Sequence, residues 1–160
     1  MLSLFYRRLP AIIHPFKHVR YFSYNDLRNA EEIEEIRLRI NARQFYVTLK
    51  SCQDSRFVKI SEVSKFKRTA IFLDMDQEVL DFMINLDTVK QLPIGNFVEQ
   101  DVKCHDEIKQ LVISKLSSGI IGTVQRRSDG GKDKNGIRIE AASVEKLTTA
   151  LHSLLERKVL

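Results

Sequence analysis

Cationic and aromatic side chains alternate with apolar ones along part of this 160-residue chain. The apolar positions are Ile36, Leu38, Ile40, Phe45, Val47, Leu49, Val58 and Ile60. The positions between them are Arg37, Arg39, Tyr46, Thr48, Lys50, Phe57, Lys59 and Ser61. Because residues two apart on a strand share a face, the second set predicts a surface with four basic residues, two rings and no acid. Cations that pair with phosphates and rings that stack on bases are what binding of a single nucleic-acid strand requires.

The same surface has a second interpretation. If it packs against another part of the protein, Tyr46 and Phe57 are core residues instead of stacking platforms, and charges on a strand are commonly just solvated. Two further basic clusters are ambiguous in the same way. Lys65, Lys67 and Arg68 form either a solvated loop or a phosphate clamp. Arg126 and Arg127 stand beside a glycine-containing loop and are the equivalent candidates in the second half of the chain.

Catalytic chemistry has weaker support. Asp74 and Asp76 end an apolar run, which resembles the metal-binding strand of haloacid-dehalogenase phosphatases. That chemistry needs further acidic and lysine motifs on later strands, and the remaining chain is too short for them. An acidic helix start explains the two aspartates better. Cys104 and His105 are adjacent, so on a strand they point to opposite faces. We therefore predict no enzyme activity, no cofactor and no metal.

The elements that carry these residues follow from periodicity. Period-2 alternation predicts strands at 34–40, 45–50, 56–63 and 69–73. Asp74 then starts a helix whose apolar stripe is Val79, Leu80, Phe82, Met83 and Leu86. The second half predicts strands at 98–102, 108–116, 120–125 and 137–141. Its helix begins at Ser143 and has the stripe Val144, Leu147, Leu151 and Leu154.

The same element order therefore occurs twice. Phe45 and Leu111 are 66 residues apart, and Val79 and Val144 are 65 apart, which indicates an internal repeat. Each half has about 60 residues, which is marginal for an independent core. We therefore predict an α+β fold in which two ββββα repeats, 34–92 and 97–158, interlock into one pseudo-symmetric domain spanning 31–160.

The segments RQFYVTLK (43–50) and RFVKISEV (56–63) resemble the repeat of the purine-rich-element-binding (PUR) proteins. The resemblance covers about residues 34–90, and it extends to 97–157 by element order alone. It implies interlocked ββββα repeats, an architecture related to the Whirly proteins and the kinetoplastid mitochondrial guide-RNA-binding proteins, all of which bind single-stranded DNA or RNA. PUR repeats often carry Lys-x-Asn after the second strand. Here Lys50 is present, but Cys52 stands in place of the asparagine.

The net charge of +5 is concentrated at the N-terminus. Residues 1–22 contain four basic residues and no acid, which leaves 22 basic and 21 acidic residues in the rest. An acid-poor, arginine-containing amphipathic segment is typical of a transit peptide, and processing is expected before Ser23. The alternative is a basic tail that itself contacts nucleic acid. No apolar stretch approaches the roughly 20 residues of a membrane span, so we predict no membrane insertion.

Together these patterns predict a mitochondrial matrix protein that binds single-stranded RNA or DNA, with RNA slightly favoured. The alternative is a structural subunit of a mitochondrial assembly such as the ribosome. The sequence does not distinguish a homo-oligomer from a ribonucleoprotein. The predicted binding residues are Arg37, Arg39, Tyr46, Lys50, Phe57, Lys59, Arg126 and Arg127.

Overall fold

A computed structural model describes residues 29–53, 55–104, 107–126 and 135–156. The fold is α+β, with two four-stranded antiparallel sheets that are each followed by a helix. The first unit contains β1 (Glu31–Ile40), β2 (Arg43–Cys52), β3 (Ser55–Val63), β4 (Arg68–Asp74) and α1 (Gln77–Gln91). The second contains β5 (Phe97–Cys104), β6 (Glu107–Leu116), β7 (Gly119–Arg126), β8 (Asn135–Ile139), a 3₁₀ turn (Ala141–Ser143) and α2 (Val144–Glu156). The predicted ββββα order is confirmed in both halves. The predicted transit peptide, 1–22, lies outside the described residues.

Each sheet is a simple meander, with strand orders β1-β2-β3-β4 and β5-β6-β7-β8. Short connections favour antiparallel pairing of consecutive strands. Between β1 and β2, Asn41 adopts a positive φ of 55°, a conformation that asparagine tolerates better than most residues. Each strand of the second unit begins 64 to 67 residues after its counterpart in the first, as β5 at Phe97 does relative to β1 at Glu31.

The apolar set predicted from the alternation faces one continuous core that both units share. Phe45, Val47 and Leu49 on β2 are buried, as are Val58 and Ile60 on β3. In α2 the whole predicted stripe is buried. In α1 the stripe differs from the prediction, because Val89 joins Val79, Phe82 and Leu86 in the core while Leu80 is exposed.

The helices connect the two units. Helix α1 contacts β5 and β6 of the second sheet as well as β4 of its own, and α2 contacts β1 and β2 of the first sheet. The two helices also contact each other. A side chain on either helix therefore loses its apolar surroundings if the other unit is removed.

Buried polar bonds reinforce this connection. The Gln100 amide on β5 accepts from Asn85 Nδ2 at 3.0 Å and donates to the Glu78 carbonyl at 2.8 Å, so it bonds α1 at two points. Glu62 on β3 accepts from the Arg138 backbone N–H on β8 at 2.5 Å and forms a 3.0 Å ion pair with Arg43. Since burying a polar group without a partner costs free energy, these bonds hold the two units in one relative position.

Two predicted element starts differ from the structure. Strand β1 begins at Glu31, three residues before the predicted start, and its pairing with β2 shifts register between Glu32 and Glu34. Ile33 lies at this register shift, is exposed, and stands three residues before Ile36, so it is out of phase with the period-2 pattern. Helix α1 is preceded by Asp76, with φ 80°, and Asp74 belongs to β4. No described helix is long and apolar enough to cross a membrane.

Candidate nucleic-acid interface

Strand register brings six of the eight predicted site residues onto one surface of the first sheet, the surface opposite the core. Arg37 on β1 lies across from Tyr46 on β2, and Lys50 on β2 lies across from Phe57 on β3. We call this surface the cation–aromatic face; its predicted members are Arg37, Arg39, Tyr46, Lys50, Phe57 and Lys59. The predicted co-location of these six is thus observed.

Register also adds two residues that the sequence prediction did not place here. Lys59 lies across from Phe72 on β4, and Arg68 follows the same alternation at the start of that strand. Phe72 was hidden in the continuous apolar run from Ala70 to Leu73, where alternation cannot be seen. Extending the alternation of β3 across the short connection to β4 would have assigned both residues to this face.

Tyr46 is the aromatic centre of the face. The guanidinium carbons of Arg37 and Arg68 lie 5.7 and 5.9 Å from its ring centroid, within cation–π range. The Tyr46 hydroxyl donates to Gln44 Oε1 at 2.8 Å, which fixes the direction of the ring. The ring is half-buried, so part of its surface is available for contact.

Lys59 lies in a crowded cationic environment. Its Nζ is 5.8 Å from the Phe72 ring centroid. Burial lowers the pKa of Lys59, and the positive charges of Lys50 and Arg68 lower it further; two glutamates on β1 oppose the shift in part. The charged form of Lys59 is therefore less favourable here than in water, and a bound anion would reverse that effect.

Phe57 differs from the expectation. It lies on the predicted face, but its side chain is only 2% exposed, and its ring centroid is 6.0 Å from that of Phe72 at an interplanar angle of 56°. A base cannot stack on a ring with so little accessible surface. In this conformation Phe57 supports Phe72 as a packing residue, which agrees with the alternative interpretation of this position.

The face also contains acidic residues: Glu35, which lies within the predicted strand, and Glu32, which the longer β1 adds. Glu35 forms a 2.9 Å ion pair with the Arg37 Nε, and its hydrogen bond and charge raise the Arg37 pKa. The Arg37 side chain is 78% exposed, so its guanidinium remains accessible to solvent. Glu32 lies across from Lys50 in the register. These carboxylates would repel an anion near β1, so the β2–β4 side is the more favourable part of the face for an anion.

The two predicted sites in the second half are Arg126 and Arg127. Arg126 is the last residue of β7, and Arg127 lies outside the described residues. The equivalent surface of the second sheet has a different chemistry. It carries the carboxylates of Glu99 and Asp101, and it exposes Phe97 and Ile108.

The described ranges contain no group of three or more His, Cys, Asp and Glu residues arranged to hold a metal ion. Comparison with known proteins gives no family: no family model matches the chain, and no curated protein matches its sequence. Function is therefore inferred from the cation–aromatic face itself.

Proposed function

We propose that this protein binds single-stranded nucleic acid through the cation–aromatic face, with RNA narrowly preferred to DNA. The observation that carries the proposal is the cluster of Lys50, Lys59 and Arg68 on one face with two rings, in which Arg68 lies beside Tyr46 and Lys59 beside Phe72. Burial of Lys59 and, second, repulsion by Lys50 and Arg68 make its charged form unfavourable in the free protein, as its lowered pKa indicates. A phosphate backbone is the ligand that would remove this repulsion.

The binding chemistry divides between phosphate and base contacts. Lysine and arginine side chains neutralise phosphates and release counterions, a contribution that does not depend on sequence. Stacking on an aromatic ring tolerates every base and contributes about 1–3 kcal/mol per base. Tyr46 and Phe72 are the rings for this role. A base that displaces one guanidinium from Tyr46 would free it to pair with a phosphate.

Salt-dependent titration of matched variants tests the proposal. Lys50→Ala should weaken binding to all sequences and reduce the salt slope by about 0.7, the value for one phosphate contact on a single strand. Tyr46→Ala should cost roughly 1–3 kcal/mol of binding free energy with the slope nearly unchanged. Lys146→Ala, an exposed lysine on α2, is the control. Thermal melts must show that each variant is folded, and a folded wild-type protein that binds neither RNA nor DNA at low salt refutes the proposal.

We place this activity in the mitochondrial matrix, on the basis of the acid-free basic segment 1–22. Mass spectrometry of the native protein should find a mature N-terminus within a few residues of Ser23. An abundant form that retains Met1 would contradict import with cleavage.

A structural subunit of a mitochondrial assembly is the second candidate. Glu32 and Glu35 on the same face, together with burial of Phe57, favour one fixed partner over general strand binding. Sedimentation separates the candidates: migration only with ribosomal particles supports the structural role, and migration with other RNA supports the first proposal.

The PUR/Whirly-like relationship is also a proposal. It is supported by the repeated element order, by the similar spacing of the two units and by the packing of each helix on the other unit's sheet. An experimental structure in which the two units do not superpose would refute the pseudo-symmetry.

A further inference from the structure

The connection between β3 and β4 projects an aromatic ring into solvent. Ser64 closes the turn by donating from its backbone N–H to the Lys67 carbonyl at 2.9 Å, and its Oγ lies 3.3 Å from the same oxygen. We call Lys65, Phe66 and Lys67 the β3–β4 tip. Phe66 is 90% exposed. One exposed apolar side chain is ordinary on a protein surface. Exposure of Phe66 therefore indicates a function only if the residues around it do so as well.

The residue types at the tip are not explained by the turn. The commonest two-residue hairpin turns contain asparagine or glycine, because the type I′ and II′ geometries need positive φ angles. Among the described residues, positive φ outside glycine occurs at Asn41, Gln53 and Asp76, and not at the tip. Turn geometry therefore does not require Lys65 and Phe66.

The tip and its flanking residues form a run of positive charge. Residues 64–69 read SKFKRT and contain three basic residues and no acid. The Lys65 Nζ lies 5.3 Å from the Phe66 ring centroid. A planar ring with cations beside it combines the two components of single-strand binding, stacking and phosphate neutralisation.

The tip is also adjacent to the cation–aromatic face. Arg68 contacts the Tyr46 ring at 5.9 Å and stands two residues from Phe66, roughly 7 Å along an extended chain. A strand bound along the face therefore reaches the tip without a break in positive charge.

We infer that the β3–β4 tip is a second contact point for the same nucleic-acid strand, with Phe66 stacking on a base and Lys65 and Lys67 contacting phosphates. This inference rests on the proposed function and extends it. It places the strand across β2, β3 and β4 and over the end of the sheet.

Titration of full-length variants with an unstructured RNA of about 16 nucleotides, the upper end of single-strand site sizes, tests the inference. Phe66→Ala should raise Kd about 5- to 150-fold, because one stacked base is lost. Phe66→Leu keeps an apolar side chain without a planar ring and should be nearly as weak. Phe97→Ala is the matched control, since Phe97 is an exposed phenylalanine on β5 of the other unit. Melting temperatures should be unchanged.

The outcomes separate the two proposals. If the wild-type protein does not bind, the proposed function fails. If Tyr46→Ala weakens binding while Phe66→Ala and Phe97→Ala both bind like wild type, the cation–aromatic face stands and the role of the tip is overturned. Wild-type affinity of Phe66→Leu would overturn stacking.

Discussion

At the scale of single residues, Lys59 is a position where the charge that the proposed function requires destabilises the free protein. Burial and the charges of Lys50 and Arg68 lower its pKa, so its charge destabilises the free folded state. The unfolded chain releases the lysine from this environment. At pH values below the lowered pKa the lysine is charged in both states, and the destabilisation is fully present. It disappears as pH rises through the ordinary pKa of lysine.

Lys59→Met should therefore stabilise the protein near neutral pH and weaken its binding. We expect roughly 0.5 kcal/mol of added stability, a small value because the side chain is half-exposed and solvent screens its charge. Chemical denaturation and strand titration measure the two effects, and the stability gain should shrink in alkaline solution. Lys146→Met on α2 is the control. A Lys59→Met protein that is both less stable and equally tight in binding would contradict the assignment.

Phe57 and Phe72 show what alternation can and cannot predict about individual side chains. Alternation placed Phe57 on the correct face, because register follows directly from the period of a strand. It could not show that Phe57 is buried, since exposure depends on neighbours from other segments. Phe72 has more accessible surface and was missed because apolar residues precede and follow it.

At the scale of elements, Glu62 joins three segments. Its carboxylate accepts from the Arg138 backbone on β8 and pairs with Arg43 at the start of β2. Strand β8 is an edge strand of the second sheet. A side chain that occupies an outward N–H of an edge strand protects it from pairing with another chain.

Glu62→Ala should cost about 2 kcal/mol of unfolding free energy, since it removes two charge-assisted hydrogen bonds from a buried position. Arg43→Met should cost less, because Glu62 keeps its bond to β8 and the Arg43 side chain is partly exposed. Urea denaturation measures both variants, with Glu145→Ala on the exposed surface of α2 as the control. Equal stability of Glu62→Ala and the control would show that this bond does not hold β8 to the first unit.

Element boundaries were predictable where one periodic pattern continued without interruption. Strands β2 and β3 begin and end within two residues of the prediction. The start of β1 was missed because the bulge between Glu32 and Glu34 changes the phase, and a bulge leaves no mark in composition. At α1 the predicted cap was Asp74. A capping Asp74 side chain would accept a hydrogen bond from a backbone N–H of the helix. In the structure the Glu78 side chain instead accepts from the Asp74 backbone N–H at 2.5 Å.

At the scale of the whole molecule, the packing of each helix on the other unit's sheet was expected only in general terms. The repeat spacing and the size of each half predicted that neither half could bury its apolar surface alone. The sequence did not predict which strands each helix contacts, because these contacts join segments that are distant in the chain. The bonds from Gln100 to Asn85 and to the Glu78 carbonyl are examples, since nothing local at Gln100 identifies its partners.

A fragment that ends near Gly95 should therefore fail to fold as a monomer. It lacks α2, which packs on β1 and β2, and it exposes the apolar stripe of α1 that contacts β5 and β6. We expect it to be unfolded or self-associated by sedimentation, without a cooperative thermal transition. Mixing it with a second fragment that begins near Asn96 should restore a cooperative transition, because the two fragments together contain every described element. A monomeric first fragment that melts cooperatively by itself would show that the units are independent, and the interlocked arrangement would then be wrong.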